Sequence, residues 1–141
     1  MKEILEGNIC VVDRVNSWRD GVERAGNILL FKNKIEKKYI EAAIKNIEKL
    51  GNYIILTDGV AMPHARPEDG ALETAVSLLV IKEGVVFSGE EERVKLIFML
   101  ASKDNSSHIN ILRKLSNLID DDEMIGKLSN SSNEVEILNF L

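Results

Sequence analysis

Two stretches, TAVSLLVI at 74–81 and VKLIFMLA at 94–101, do most to limit what this chain can become. Each is a near-continuous apolar run of strand length, rich in β-branched and aliphatic residues. A strand that meets water on one face alternates apolar with polar residues; one that is apolar throughout must be covered on both faces. These runs are therefore expected to be central strands of a sheet with a helical layer on each side. The rest of the chain supplies such layers. Trp18, Val22, Ala25 and Leu29 recur at helical spacing after Ser17, a capping residue with Asp20 three positions on. Ile35, Tyr39, Ala43, Ile47 and Leu50 line a second helix, with Asn33 and Glu36 as its opening signal and Gly51 as its stop. SSHINILRKLSNLI (106–119) reads as a strong amphipathic helix capped by Ser106 or Ser107, and SSNEVEILNFL as a short last helix boxed by Ser131 and Glu134. ICVV (9–12), NYIILT (52–57), VAMP (60–63) and a fragment of VVFSGEEER (85–93) are the further strand candidates. Helices and strands alternate loosely, so the expected fold class is α/β: one domain over residues 1–141, with a mixed sheet flanked by α-helices.

Composition excludes several functions. The net charge of -5 gives no basic face for nucleic acid. No apolar run approaches the roughly 20 residues of a membrane helix, and MKEILEGN has no signal-peptide shape. A single cysteine allows no internal disulfide. Together these features lead us to expect a cytoplasmic protein. Cys10, inside ICVV, reads as a small buried hydrophobe. The acidic run Asp120-Asp121-Asp122-Glu123 has no oxygen-ligand spacing and reads as the close of one helix and the cap of the next. No third ligand stands at a zinc offset from the two histidines, and no Gly-x-Ser-x-Gly elbow is present, so no metal or cofactor is expected. Met62, Phe98 and Met99 read as core.

The chemistry concentrates in GVAMPHARPEDG (59–70). Pro63 has no N–H for a ladder, so the extended segment should end or lie at an edge there. It also fixes its own φ and biases Met62 away from helix. His64 is thus presented at a strand end on a stiffened backbone, where sites in α/β sheets often lie. The other histidine, His108, falls at the first turn of the helix that follows the strand 94–101. Backbone N–H groups and the positive end of the helix dipole favour an anion at such a place. Two histidines at two strand ends fit phosphoryl transfer. An imidazole nitrogen attacks phosphorus and later leaves, while a second imidazole and a helix N-terminus bind the phosphoryl oxygens. The bland alternative is a loop histidine with no chemistry.

The run Gly59-Val60-Ala61-Met62-Pro63-His64 resembles the Gly-x-Ala-x-Pro-His signature of the enzyme IIA components of the bacterial sugar phosphotransferase system, mannitol/fructose class. His108, 44 residues later and opening an amphipathic helix, matches the same family's second half. The resemblance spans essentially the whole chain and implies a five-stranded mixed sheet. It further implies that His64 takes phosphate from the phosphocarrier HPr, that His108 supports it, and that the phosphate passes to a IIB component, with membrane IIC reached only indirectly. The family's HPr is basic around its histidine, so Glu68 and Asp69 here fit a steering role. The Arg-Glu pair usual about 15 residues before the motif is missing, the nearby residues being Glu48 and Lys49. Arg66 and Lys49 are the candidate replacement cations, with Arg66 alternatively a solvated loop residue, and Ser107 joins Arg66 as phosphoryl-binding support. Ala-Met-Pro-His-x-Arg-Pro-Glu and Trp18 look more like the ascorbate-type IIA, whose IIB acceptor is a cysteine. A regulatory paralogue of the same fold, which responds to phosphorylation without feeding a transporter, is the alternative.

Overall fold

The structure is a computed structural model that describes all 141 residues. Its elements are α1 (Lys2–Leu5), β1 (Ile9–Val12), α2 (Trp18–Phe31), α3 (Lys37–Leu50), β2 (Ile55–Thr57), β3 (Val60–Ala61), a 3-10 turn (Pro67–Asp69), β4 (Ala75–Val86), β5 (Arg93–Ala101), α4 (Ile109–Ile119), α5 (Asp122–Ser129) and α6 (Glu134–Phe140). One five-stranded sheet runs β1-β4-β5-β3-β2. The pairs β1·β4 and β3·β5 are parallel, and β4·β5 and β2·β3 antiparallel. The two apolar runs are the core of β4 and β5, next to each other in the middle of the sheet, as their composition requires.

The period of two along each strand divides the interior into two cores. Leu79, Ile81, Ile97 and Met99 face α2 and α3, meeting Val22, Ala25, Leu29, Ala43 and Ile47. Leu78, Val80, Leu96, Phe98 and Leu100 face the other side, meeting Leu5 of α1, Ile111, Leu115 and Leu118 of α4, Leu128 of α5 and Ile137 of α6. Met62, Phe98 and Met99 are core, as expected. No helix is long and apolar enough to cross a membrane.

Several boundaries differ from the sequence reading. Asn33 ends α2 instead of opening α3. It takes a left-handed φ of 58°, which asparagine tolerates, while its N–H bonds Leu30 C=O and the Lys34 N–H bonds Leu29 C=O, the Schellman arrangement. Ile35 then bridges Ala71, and α3 begins only at Lys37; Leu50, its last residue, is exposed and does not join the buried face. The fragment after Ile81 is a continuation of β4, past a register shift that contains Gly84 at φ 73°. Strand β2 keeps only three of the six residues of NYIILT. Asn133, not Ser131, caps α6, accepting the Glu136 N–H at 2.9 Å, while the Ser131 hydroxyl donates to Lys127 C=O. Cys10 is exposed, because β1 is an edge strand. Ser17 does cap α2, and Asp121 of the acidic run does cap α5.

Candidate functional site

His64 and His108 meet because β3 and β5 are parallel neighbours that end on the same side of the sheet. Val60 of β3 and Met62, just beyond it, turn toward the α4 layer. The backbone stays extended through Pro63, whose C=O accepts the Leu100 N–H at 3.2 Å. Parity then aims His64 to that same side. The segment Ser102–Ser107 after β5 leads to His108, the residue immediately before α4.

A cleft of about 200 Å³ opens between these two chain segments. His64, Arg66, Pro67, Leu100, Ser102, Asp104, Asn105 and His108 border it. A larger cavity of about 620 Å³, bordered by Trp18, Arg19, Glu48 and Ser88, holds neither histidine, and there Glu48 neutralises Arg19 at 2.7 Å. Size therefore does not locate the chemistry, and the smaller cleft is the candidate site.

The two rings are held differently. His64 Nδ1 lies 2.9 Å from Met62 C=O. A carbonyl can only accept, so Nδ1 carries the proton and Nε2 presents a lone pair. Tyr53 meets the His64 ring edge-on, at 5.5 Å between centroids. His108 Nδ1 is buried and has no protein partner. A buried lone pair without a partner costs less than a buried N–H without one, so the proton of the neutral ring belongs on Nε2. One ring thus offers a nucleophilic nitrogen and the other a donor.

The remaining expected residues divide. Arg66 borders the cleft, is exposed, and has its guanidinium in no ion pair. Its backbone N–H, not the guanidinium, donates to the Asp69 carboxylate at 2.9 Å. Lys49 is exposed on α3 and does not border the cleft. Ser107 does not border it either. Its hydroxyl is spent on Thr74 and Ser102, and its N–H on Asp104. Neither Ser106 nor Ser107 caps α4. Instead the Asp104 carboxylate accepts the Ser106 N–H at 2.9 Å and the Ser107 N–H at 2.6 Å. Those bonds hold its pKa down at about 2. That carboxylate occupies the Ser106 and Ser107 N–H groups, whereas the His108, Asn110 and Ile111 N–H groups that open α4 make no hydrogen bond within the protein.

Sequence reasoning missed Ser102, Asp104 and Asn105, which only the bend after β5 brings to the cleft. It also missed Tyr39, which it counted as core. The Tyr39 ring is core, 1% exposed, but its hydroxyl accepts the Ala65 N–H at 3.0 Å and donates to Leu100 C=O at 2.6 Å. No group of three or more His, Cys, Asp or Glu side chains is arranged to hold a metal ion.

Residues 3–141 match the family described as "Phosphoenolpyruvate-dependent sugar phosphotransferase system, EIIA 2". The chain belongs to that family. It is therefore a phosphotransferase component of the IIA type. The mannitol-specific cryptic phosphotransferase enzyme IIA component of Escherichia coli K12 is 38% identical over 136 residues, 96% of this chain and 92% of the relative. A solution structure of a protein of that name from Escherichia coli superposes with a TM-score of 0.91 at 37% identity, covering 98% of this chain and 95% of the other. The ascorbate-specific EIIA component of Shigella boydii serotype 4 is 29% identical over 127 residues, 89% of this chain and 82% of the relative. The mannitol IIA of Escherichia coli, solved in complex with phosphorylated mannitol IIB, superposes with a TM-score of 0.81 at 29% identity, covering 95% of this IIA chain and 93% of that one.

Proposed function

We propose that this IIA protein accepts phosphate from phospho-HPr on His64 Nε2 and passes it to a IIB component. The observation that carries the reading is the pairing of the rings across one cleft, with His64 Nδ1 committed to Met62 C=O and Nε2 left free. The His64 Nε2 lone pair forms a bond to phosphorus as the donor's N–P bond breaks, and the donor nitrogen keeps the departing electron pair. The ring gains positive character, which the Nδ1–H to Met62 bond stabilises. In the second step a IIB nucleophile attacks phosphorus and His64 Nε2 leaves. In both steps the transferring group spreads charge over its equatorial oxygens. His108 Nε2–H donates to them, and Arg66 supplies the cation. Asp104 takes only the Ser106 and Ser107 N–H groups, so the unbonded N–H groups at the start of α4 add the positive end of the helix to these two side chains.

The carried sugar is read through the IIB partner, since a IIA domain of this kind does not touch it. Arg66 beside the Pro-His motif, together with Trp18, supports an ascorbate-type system. The greater identity to the cryptic mannitol relative supports a hexitol system. A cytoplasmic location, where a phosphoryl donor and acceptor would meet the protein, fits either system. Incubation with enzyme I, HPr and phosphoenolpyruvate should add one acid-labile phosphoryl group, and His64→Ala should abolish it. Normal phosphorylation of His64→Ala overturns the assignment. Relative transfer rates to an ascorbate-type and a mannitol-type IIB decide the system.

A further inference from the structure

We propose that Tyr39 is a positioning residue for the phosphoryl acceptor: its hydroxyl stands between Ala65 N–H and Leu100 C=O and fixes the distance at which the His64 segment parts from β5. The proposal rests on the phosphocarrier reading of the cleft.

The register of the sheet carries it. Strands β3 and β5 pair Val60 with Leu96 and Ala61 with Ile97. The Leu96 N–H bonds Gly59 C=O, and four residues on the Leu100 N–H bonds Pro63 C=O. A parallel ladder in this register returns its bonds from residues 61, 63 and 65 to the carbonyls of Leu96, Phe98 and Leu100. The rung at Pro63 is missing, because proline has no N–H. The rung at Ala65 is occupied by a third party: Ala65 N–H donates to Tyr39 Oη at 3.0 Å, and Tyr39 Oη donates to Leu100 C=O at 2.6 Å. A direct rung would be one hydrogen bond long; the interposed oxygen makes it two. The strands therefore separate at His64, where the cleft opens, and Leu100 forms part of its wall.

Tyr39 suits this task because it comes from outside the sheet. It stands on α3, its ring packed in the α2–α3 core. Burial pushes its phenol up to about 12, so the hydroxyl keeps its proton and can give one bond while taking another. On the other side of His64 the Met62 N–H is held by Ile54 C=O at 2.8 Å, and the ring itself by Met62 C=O. The acceptor is thus fixed before and after: Tyr39 holds the Ala65 N–H next to it, and Asp69 holds the backbone N–H of Arg66 one residue further on.

Tyr39→Phe keeps the ring and removes the interposed oxygen. Ala65 then either closes onto Leu100 directly or turns to water, and both outcomes move His64 relative to His108. Small misplacements of a reacting group cost rate steeply, so kcat for phosphorylation by phospho-HPr is expected to fall about tenfold or more, with KM unchanged because the docking surface is untouched. The Ala65 amide should exchange faster with solvent, and the nitrogen-15 shifts of His64 should leave the single Nδ1–H pattern. Ile40→Val, a buried change on the same helix that touches neither rung, should lower stability without changing kcat, amide exchange or the shifts. Wild-type kcat in Tyr39→Phe overturns the proposal, and so does an equal loss in Ile40→Val. A Tyr39→Phe protein that does not fold also overturns it, because the hydroxyl would then hold the fold and not the acceptor. If even the wild type takes no phosphate, the phosphocarrier reading fails, and Ala65 exchange with the His64 shifts still decides whether Tyr39 holds the segment.

Discussion

Replacing His108 by leucine should move stability and transfer in opposite directions. In the resting protein His108 gives the fold little. It sits in the N-cap position of α4 at φ −86° and ψ −5°, yet its side chain caps nothing. Its Nδ1 is buried without a partner, and no hydrogen bond or ion pair of the ring offsets that. An unmade bond of this kind costs about 1–3 kcal/mol when the group is left in the interior. Leucine is close to imidazole in size and leaves no polar atom behind, so His108→Leu should be as stable as the wild type or about 1 kcal/mol more stable. Transfer should suffer. The Nε2–H bond to a charged phosphoryl oxygen is worth about 1.5–3 kcal/mol. Felt mainly in the transition state, that is a loss of about 10- to 150-fold in rate. The variant should still take phosphate slowly and pass it on poorly. Urea denaturation followed by tryptophan fluorescence measures the first quantity, and rapid-quench transfer to IIB the second. A variant that loses stability and keeps its transfer rate would refute the reasoning, for it would make His108 a packing residue.

Arg66→Ala should slow transfer about tenfold while shifting stability by less than about 0.5 kcal/mol, since the guanidinium is exposed and unpaired; an unchanged rapid-quench rate returns Arg66 to the solvent. Glu68→Lys should slow phosphorylation by HPr most at low ionic strength, read across a salt series. Glu68 is the cleaner test of steering than Asp69, whose carboxylate already holds the Arg66 N–H. The Tyr39 phenol is raised from 10.0 to about 12, so the folded state keeps a proton that the unfolded state loses. Its contribution, about 2–3 kcal/mol, is present below pH 10 and lost as pH rises toward 12. The urea midpoint should fall through that window in the wild type and fall less in Tyr39→Phe.

The layers of the fold were legible because they depend on which residues avoid water, and runs such as 74–81 and 94–101 have no other solution. Boundaries were less legible where one residue type serves two purposes. Asparagine both caps helix starts and tolerates positive φ, so Asn33 looked like the start of α3 although it ends α2. At the other end of the chain Ser131 and Asn133 both had capping chemistry, and only the direction of the turn chose Asn133. The burial of Cys10 was misread for a different reason. Apolar composition marks ICVV as a strand, but whether that strand has one neighbour or two depends on topology.

The site shows the same division between local and long-range causes. Pro63-His64 was legible because proline acts on its own backbone and its own neighbour. Tyr39 was not, because the partners of its hydroxyl lie 26 and 61 residues away and its ring fits the helical period of core residues. Asp104 was unremarkable in a polar loop, although its carboxylate takes the Ser106 and Ser107 N–H groups and so shapes the approach to α4. These facts have one structural origin. A parallel pair ending in a full ladder would close the sheet over its own end and leave no room for a second protein's reacting atom. Here the ladder lapses twice in succession, once because proline cannot donate at 63 and once because a tyrosine hydroxyl stands in at 65. His64 lies between the two lapses, so the residues that weaken the ladder are the ones that part β3 from β5 at this end of the sheet. The same argument bears on Pro63 itself. Pro63→Ala would restore the missing donor opposite Phe98 C=O, draw the segment toward β5, and stabilise the fold while slowing transfer. A Pro63→Ala protein that is both more stable and equally fast would show that the break in the ladder has no part in presenting His64.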